Sequence, residues 1–99
     1  QALLISNGKS FRQVVMIQYP KPNTWTLAFL TGEIDTSGAQ ELAPKLFTVY
    51  VPTTPNPTSG FFLMLEEKEL IRLDITVEEA LKMILSLGAI PQSLFKNKV

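Results

Sequence analysis

The sequence predicts an α+β domain: a four- to five-stranded, mainly antiparallel sheet with one C-terminal amphipathic helix packed on it. Short runs of β-branched and aromatic residues alternate with turn residues, which is typical of strands joined by hairpins. One stretch near the C terminus repeats apolar residues at spacings of three and four, as an amphipathic helix does. Ninety-nine residues, 45% of them hydrophobic, suffice for one domain with its own core. A sheet curled into a barrel-like shape is the alternative form of the same fold.

The first two strands are predicted at residues 11–19 and 24–31, joined as a hairpin by the turn PKPN at residues 20–23. The first strand, FRQVVMIQY, has a continuous apolar centre, so its middle is expected to be covered on both faces. The second strand, TWTLAFLT, alternates and has one strongly apolar face.

The rest of the sheet follows a polar interruption. Residues 32–44 contain two glycines and three acidic residues, which predicts an exposed, mobile loop. Strands are then predicted at residues 46–51, 61–65 and 70–73, with the charged turn EEKE at residues 66–69.

The helix has the clearest local signals. Thr76 is a suitable N-cap, and Glu79 completes a capping box with it. Gly88 is predicted to end the helix at the C′ position. The apolar positions that form one stripe are Val77, Ala80, Leu81, Ile84 and Leu87.

The most unusual segment is VPTTPNPTSG at residues 51–60; we call residues 52–60 the proline strap. Its three prolines fix their own φ angles and push the preceding residues toward extended geometry. Residues 52–58 are therefore expected to be extended, and at ~3.1 Å per residue they would span roughly 20 Å, along the sheet or from one edge to the other. It is either a stiff connector or a loop that contacts a ligand or partner. The candidate contact residues are Thr53, Thr54, Asn56, Thr58 and Ser59.

Composition excludes several kinds of chemistry. The chain has no Cys and no His, which rules out a thiol nucleophile, a disulfide framework, a Cys/His metal site and a Ser-His-Asp triad. Nine basic and nine acidic residues cancel, which argues against nucleic-acid binding. The acidic residues at 33, 35, 66, 67 and 69 fall in expected turns, where solvated charge is the simpler interpretation. We therefore expect no catalytic, cofactor-binding or metal-binding residues, no cofactor, and no enzyme activity.

The apolar strands offer more surface than one short helix can cover. Either the sheet curls, or a second apolar surface is buried against another copy, another domain or a membrane edge. Self-association, or binding to another protein, is the expected outcome, partly because open sheet edges invite pairing.

Several segments resemble a known family. The strap and its continuation, VPTTPNPTSGFFLML followed by LIRLDITVEEALKMILSLG, resemble the signature of a bacterial membrane-protein family catalogued as domain of unknown function 502. That family is related to the plant continuous-vascular-ring (COV-like) proteins. NGKSFRQVVMIQYPKPNTWTLAFLTGE is similar to the family's segment just after its second membrane helix. The resemblance covers about residues 7–88 and departs at residues 86–88, where the family tends to have a pair of glycines.

The resemblance implies a domain organisation and a location. Residues 1–8 would be the end of a helix leading from a membrane region absent here, residues 9–88 a single soluble domain, and residues 89–99 a loose tail. The parent protein would lie in the cell inner membrane, with this domain on the cytoplasmic side by the positive-inside tendency. The family has no established activity, so no site residues carry over.

Three functions are then open, the least favoured being a hydrolase, which would need a buried Lys or carboxylate within hydrogen-bond reach of Ser59 or Thr58. The first is an interaction or assembly domain without catalysis of its own. The alternative is a small-molecule or peptide sensor that uses the proline strap beside Trp25 or Tyr50. The sensor would lose its polar lining if the strap's hydroxyls bond to the strap's own backbone.

Overall fold

A computed structural model describes residues 13–90 and 93–95. Its strands are β1 (Gln13–Gln18), β2 (Trp25–Asp35), β3 (Lys45–Pro52), β4 (Gly60–Leu65) and β5 (Ile71–Arg72), with a 3-10 turn at Glu67–Glu69 and helix α1 at Val77–Leu85. The strands form one antiparallel sheet in the order β4-β3-β2-β1-β5. The α+β prediction is confirmed. The predicted helix end at residues 1–8 and most of the predicted tail lie outside the described residues.

The first hairpin forms as predicted. The N–H of Tyr19 donates to the carbonyl of Thr24 at 2.8 Å, which closes the turn. Asn23 takes a φ of 69° there, a conformation that Asn tolerates better than most residues. In β1, Val14 and Val15 point to opposite faces and neither is accessible to solvent, so this strand is covered on both sides.

The polar segment after residue 31 is only partly a loop. Strand β2 continues to Asp35, so the prediction of a loop over residues 32–35 is wrong. The pairing with β3 shifts between Leu30 and Gly32, which leaves Thr31 as a bulge. The Thr31 hydroxyl lies 2.8 Å from the hydroxyl of Thr48 and donates to the Thr48 carbonyl at 3.1 Å. This local bonding lets the strand resume beyond the bulge.

The sheet has an apolar cluster on each face. The helix-side cluster is covered by α1 and contains Val14, Phe29, Leu73, Ile75, Ala80 and Ile84. The opposite-face cluster contains Val15, Ile17, Ala28, Val49 and Val51, each at most 5% exposed. No charged side chain belongs to either cluster among the described residues.

The sheet curls around the opposite-face cluster but stays open. Three strand spacings separate β1 from β4, which is about 14 Å in a flat sheet. The rings of Tyr19 and Phe61, at facing ends of those strands, are nevertheless 5.8 Å apart. Arg72 in β5 likewise lies 5.8 Å from the ring of Phe47 in β3. The centre of this face is therefore buried within the chain itself, without a neighbouring molecule.

Helix α1 begins as predicted. The Thr76 hydroxyl accepts from the N–H of Glu79 at 3.0 Å, and the Glu79 carboxylate accepts from the N–H of Thr76 at 2.9 Å. This reciprocal capping box satisfies donors that the first turn leaves unpaired.

The end of α1 differs from the prediction. The C′ position is taken by Leu87, with a φ of 58°, and Gly88 follows it at 79°. The N–H of Gly88 donates to the carbonyl of Met83 at 2.9 Å, and that of Leu87 to the carbonyl of Ile84 at 3.1 Å. These are the two bonds of a Schellman motif, in which Gly88 is C″ rather than C′.

Candidate interaction surface

The proline strap is a compact hairpin loop. Pro52 lies opposite Gly60 in the β3–β4 pairing, so the two ends of the strap are neighbours. The N–H of Thr53 donates to the carbonyl of Ser59 at 2.9 Å, and the Thr54–Pro55 peptide bond is cis. The prediction of an extended segment crossing the sheet is wrong, because pairing of the flanking strands returns the chain at once.

Most of the strap's polar side chains bond within the strap. The Thr53 hydroxyl donates to the carbonyls of Asn56 and Ser59, the latter at 3.0 Å, and lies 3.2 Å from the Ser59 hydroxyl. Asn56 Oδ1 accepts from the N–H and the hydroxyl of Thr58, at 3.1 and 2.6 Å. Four of the five candidate contact residues therefore form side-chain hydrogen bonds within the strap: Thr53, Asn56, Thr58 and Ser59.

Tyr50 anchors the strap to the sheet. Its hydroxyl donates to the carbonyl of Pro57 at 2.6 Å. Its ring stacks with that of Phe29, with centroids 6.5 Å apart, which connects the strap to the helix-side cluster. Burial raises the pKa of the Tyr50 hydroxyl above its ordinary value.

Thr54 is the candidate that faces away from this network, toward a shallow depression of about 310 Å³. The depression is open to solvent and lies between β2, the strap and the end of α1. Three of the residues that line it have a polar side-chain group, Trp25, Thr26 and Thr54, and the Thr26 hydroxyl donates to the carbonyl of Leu27 at 3.4 Å. The remaining lining is apolar: Leu27, Pro52, Met83, Ile84 and Leu87.

A second depression, of about 340 Å³, lies near the bulge and includes Phe47 and Arg72. The charges around it are paired. Arg72 lies 3.7 Å from the Glu67 carboxylate, and the Lys45 ammonium lies 3.3 Å from that of Glu33. The two charged residues that line the depression, Glu33 and Arg72, have opposite signs, and each has a partner of opposite charge.

Of the acidic residues expected in turns, Glu33 and Asp35 lie in β2 instead, whereas Glu67 and Glu69 lie in the 3-10 turn. The Glu69 carboxylate accepts from the N–H of Glu66 at 3.0 Å, so it caps the 3-10 turn. Hydrogen bonds from Ser37 hold the pKa of the Asp35 carboxyl below its usual value. In the described part of the chain, no three Asp or Glu side chains come together as metal ligands would.

The remaining feature is the edge strand β4. Its sequence, GFFLML, has no charged residue, and among the described strands it pairs with β3 alone. The side chains of Phe61, Phe62 and Met64 are 52%, 63% and 47% exposed. The other edge, β5, has only two residues, one of them Arg72. Natural sheets blunt their edges with short strands and charge, and β4 has neither protection.

The hydrogen-bonding direction of β4 follows from one contact. Because the N–H of Thr53 donates to the Ser59 carbonyl, this pair and every second pair along the ladder exchange hydrogen bonds. The backbone groups of Phe61, Leu63 and Leu65 therefore point toward β3. Those of Phe62 and Met64 point outward, where the described residues supply no backbone partner.

The sequence signal for this surface was the apolar run FFLML itself, which predicts a strand but not its place in the sheet. Strand β5 pairs with β1, through Met16 opposite Ile71, instead of adding to β4. This distant pairing leaves β4 at the edge. The predicted contact residues lie in the proline strap, whereas the exposed surface lies directly after it.

Comparison with known proteins places the chain in a family. The family described as "Protein of unknown function (DUF502)" matches residues 1–59, and the chain belongs to it. A curated relative, "Protein LIKE COV 2" of Arabidopsis thaliana, is 30% identical over 84 residues. The match covers 83% of this chain and 31% of that protein, so the chain spans about a third of its relative's length. The resemblance found in the sequence is thereby confirmed.

No solved structure matches this chain. Within residues 13–90 and 93–95, no helix has the length and apolar composition needed to cross a membrane.

Proposed function

We propose that this chain is an interaction and assembly domain of a bacterial inner-membrane protein, with no chemistry of its own. The observation that carries the proposal is the β4 edge, which combines outward-pointing backbone groups with three exposed apolar side chains. Such an edge is a template for another strand. The proposed location of the domain on the cytoplasmic side of the membrane is supported by the family's two membrane helices and the positive-inside tendency.

The polar groups of the described residues support an interaction role over catalysis. The hydroxyls of Thr53, Thr58 and Ser59 bond within the strap, and the cations near the larger depression are paired. A hydrolase would need a buried Lys or carboxylate beside Thr58 or Ser59 to activate the hydroxyl. The hydroxyls of Thr58 and Ser59 instead form their hydrogen bonds within the strap.

A sensing role has weaker support. It rests on Thr54 beside Trp25 in the 310 Å³ depression. Ligand sites usually enclose most of the ligand and converge several polar groups on it. This depression is open, and most of the residues that line it are apolar.

Photo-crosslinking in the full-length protein within intact cells tests the proposal. A photoreactive amino acid at Phe62, which is 63% exposed, should yield a protein adduct because the β4 edge is in contact with a partner. The matched control is the same amino acid at Glu78, an exposed position on α1. Adducts from Phe62 alone support the proposal. No protein adduct from Phe62, or equal adducts from both positions, contradicts it.

A further inference from the structure

We infer that the partner of β4 is β4 of a second copy, paired antiparallel about a two-fold axis at Leu63. The two five-stranded sheets then continue into one. This inference rests on the proposed function, because it identifies the partner of the same edge. Three features of β4 lead to it: its outward hydrogen-bonding groups, the point where they stop, and its side-chain pattern.

The hydrogen-bonding groups set the register. Phe62 and Met64 present their N–H and carbonyl groups outward, and an antiparallel partner must present the same alternate groups. With the axis at Leu63, Phe62 of one copy lies opposite Met64 of the other. That pair exchanges two hydrogen bonds, and the symmetry-related pair exchanges two more.

The structure also limits how far the pairing runs. The next outward N–H, that of Glu66, already donates to the Glu69 carboxylate at 3.0 Å. A register centred farther along, at Met64, would need the Glu66 N–H as a donor. Centring at Leu63 uses the outward backbone groups of Phe62 and Met64 in both copies and stops before the capped turn.

The side chains are self-complementary in this register. Phe62 meets Met64 of the second copy on the helix side, and Phe61 meets Leu65 of the second copy on the opposite face. Sulfur–aromatic contacts of the first kind are favourable. Glu66 falls opposite Gly60, so no two like charges face each other. The side chains of Phe62 and Met64, now 63% and 47% exposed, would be covered where the two helix-side surfaces meet.

A second copy fits this edge better than a strand of unrelated sequence. A C2 contact brings the same patch together twice, so one uncharged strand suffices for both sides. A strand with charges at these positions would bury them against Phe62 and Met64 without partners. The chain carries this uncharged complement in β4 itself.

The register predicts one specific distance. Leu63 faces Leu63 of the second copy in a non-hydrogen-bonded pair, with Cα atoms about 4.5 Å apart. That spacing lies within the range of a disulfide bond. Phe61 is two residues from the axis in each copy, so its two copies are about 14 Å apart. The same holds for Leu65.

Single cysteines test the register cleanly because the chain has no native Cys. Under mild oxidation Leu63→Cys should give a disulfide-linked dimer at least about tenfold faster than the exposed control Glu78→Cys. The strand pairing keeps the two Leu63→Cys thiols close together, which raises their effective concentration. Phe61→Cys and Leu65→Cys should each stay unlinked when alone and form a mixed dimer when combined. Far-UV circular dichroism checks that each variant is folded.

A proline variant tests the backbone contact. Met64→Pro removes an N–H that points away from β3, so edge geometry tolerates it while the contact with the second copy loses a donor. Met64→Thr keeps the N–H and shortens the side chain. Light scattering across a concentration series should show a dimer for the original chain, a weakened dimer for Met64→Thr and a monomer for Met64→Pro.

The outcomes separate the two proposals. A strictly monomeric chain, or no preference of Leu63→Cys for cross-linking, overturns the self-pairing. If Phe62 still photo-crosslinks to a different protein in cells, the interaction role stands with another partner. A dimer that survives Met64→Pro also overturns the self-pairing, because the contact then lies elsewhere.

Discussion

Replacing Gly60 with Ala should destabilise the domain more than any other glycine substitution in its described part. A Cβ built at Gly60 would lie 2.0 Å from the carbonyl oxygen of Val51 and 2.9 Å from Cε1 of Tyr50. Ordinary contacts between carbon atoms lie at about 3.5–4.0 Å. The nearest obstacle is backbone, so a side-chain rotation cannot relieve the clash, and β3 and β4 must separate locally.

The magnitude follows from that geometry. Overpacking costs typically about 1–3 kcal/mol, and a clash with backbone falls at the upper end, near 3 kcal/mol. For a domain of this size, about 4–8 °C of Tm is lost per kcal/mol, so Tm should fall by about 12–24 °C. Urea denaturation at fixed pH measures the free energy of unfolding, and an unchanged m-value shows that the comparison is valid.

Gly38→Ala is the matched control. Nothing lies within 4 Å of a Cβ at Gly38, in the loop between β2 and β3. Restricting the unfolded chain should make this variant neutral or more stable by up to about 1 kcal/mol. If Gly60→Ala costs less than about 1 kcal/mol, or matches Gly38→Ala, the close approach of β4 to Val51 is refuted.

Three further substitutions test the anchors of the fold. Tyr50→Phe loses the hydrogen bond to the Pro57 carbonyl and should cost about 1 kcal/mol in urea denaturation. Because burial raises the pKa of Tyr50 above its ordinary value of 10.0, the folded state holds this proton more tightly. The contribution of this hydroxyl to the free energy of unfolding is complete below pH 10.0 and is lost as the pH rises through the raised pKa. The Tyr50→Phe variant should not show this loss at high pH. Thr76→Ala should lower the free energy of unfolding by about 1 kcal/mol, because it removes the N-cap acceptor of the Glu79 N–H. Thr76→Ser keeps a hydroxyl acceptor and should retain most of this stability. Leu87→Gly should raise the free energy of unfolding by about 0.5–1 kcal/mol. Glycine relieves the strain of the left-handed conformation at this position, and this gain outweighs the added freedom of the unfolded chain. A lower free energy of unfolding would contradict the Schellman assignment.

The features predicted correctly from sequence have local causes. The capping box needs only Thr76 and a carboxylate three residues later, and both are visible in the sequence. The first hairpin needs a turn between two strand-forming runs. Periodicity also identified most of the apolar stripe of α1, whose Ala80 and Ile84 are buried, but the predicted member Leu87 lies beyond the helix and is exposed.

The errors have non-local or conformational causes. Strand β2 runs on past Thr31 because a bulge bonds to Thr48, seventeen residues away. Leu87 rather than Gly88 takes the C′ position, although glycine is the commoner residue there. The proline strap was predicted to be extended from its φ restrictions alone, but the pairing of Pro52 with Gly60 sets its overall course.

The strap and the exposed edge form one structural unit. Pro52 can occupy β3 without losing a ladder bond, because its pairing with Gly60 is of the non-bonded kind and the β2–β3 pairing ends before it, at Tyr50. The strap then returns the chain with most of its polar side chains hydrogen-bonded within the loop, and these bonds hold its shape. A stiff, self-bonded loop fixes where β4 begins and which of its backbone groups point outward. The stiffness expected from the three prolines of the strap therefore fixes the position of the strand that follows it, β4.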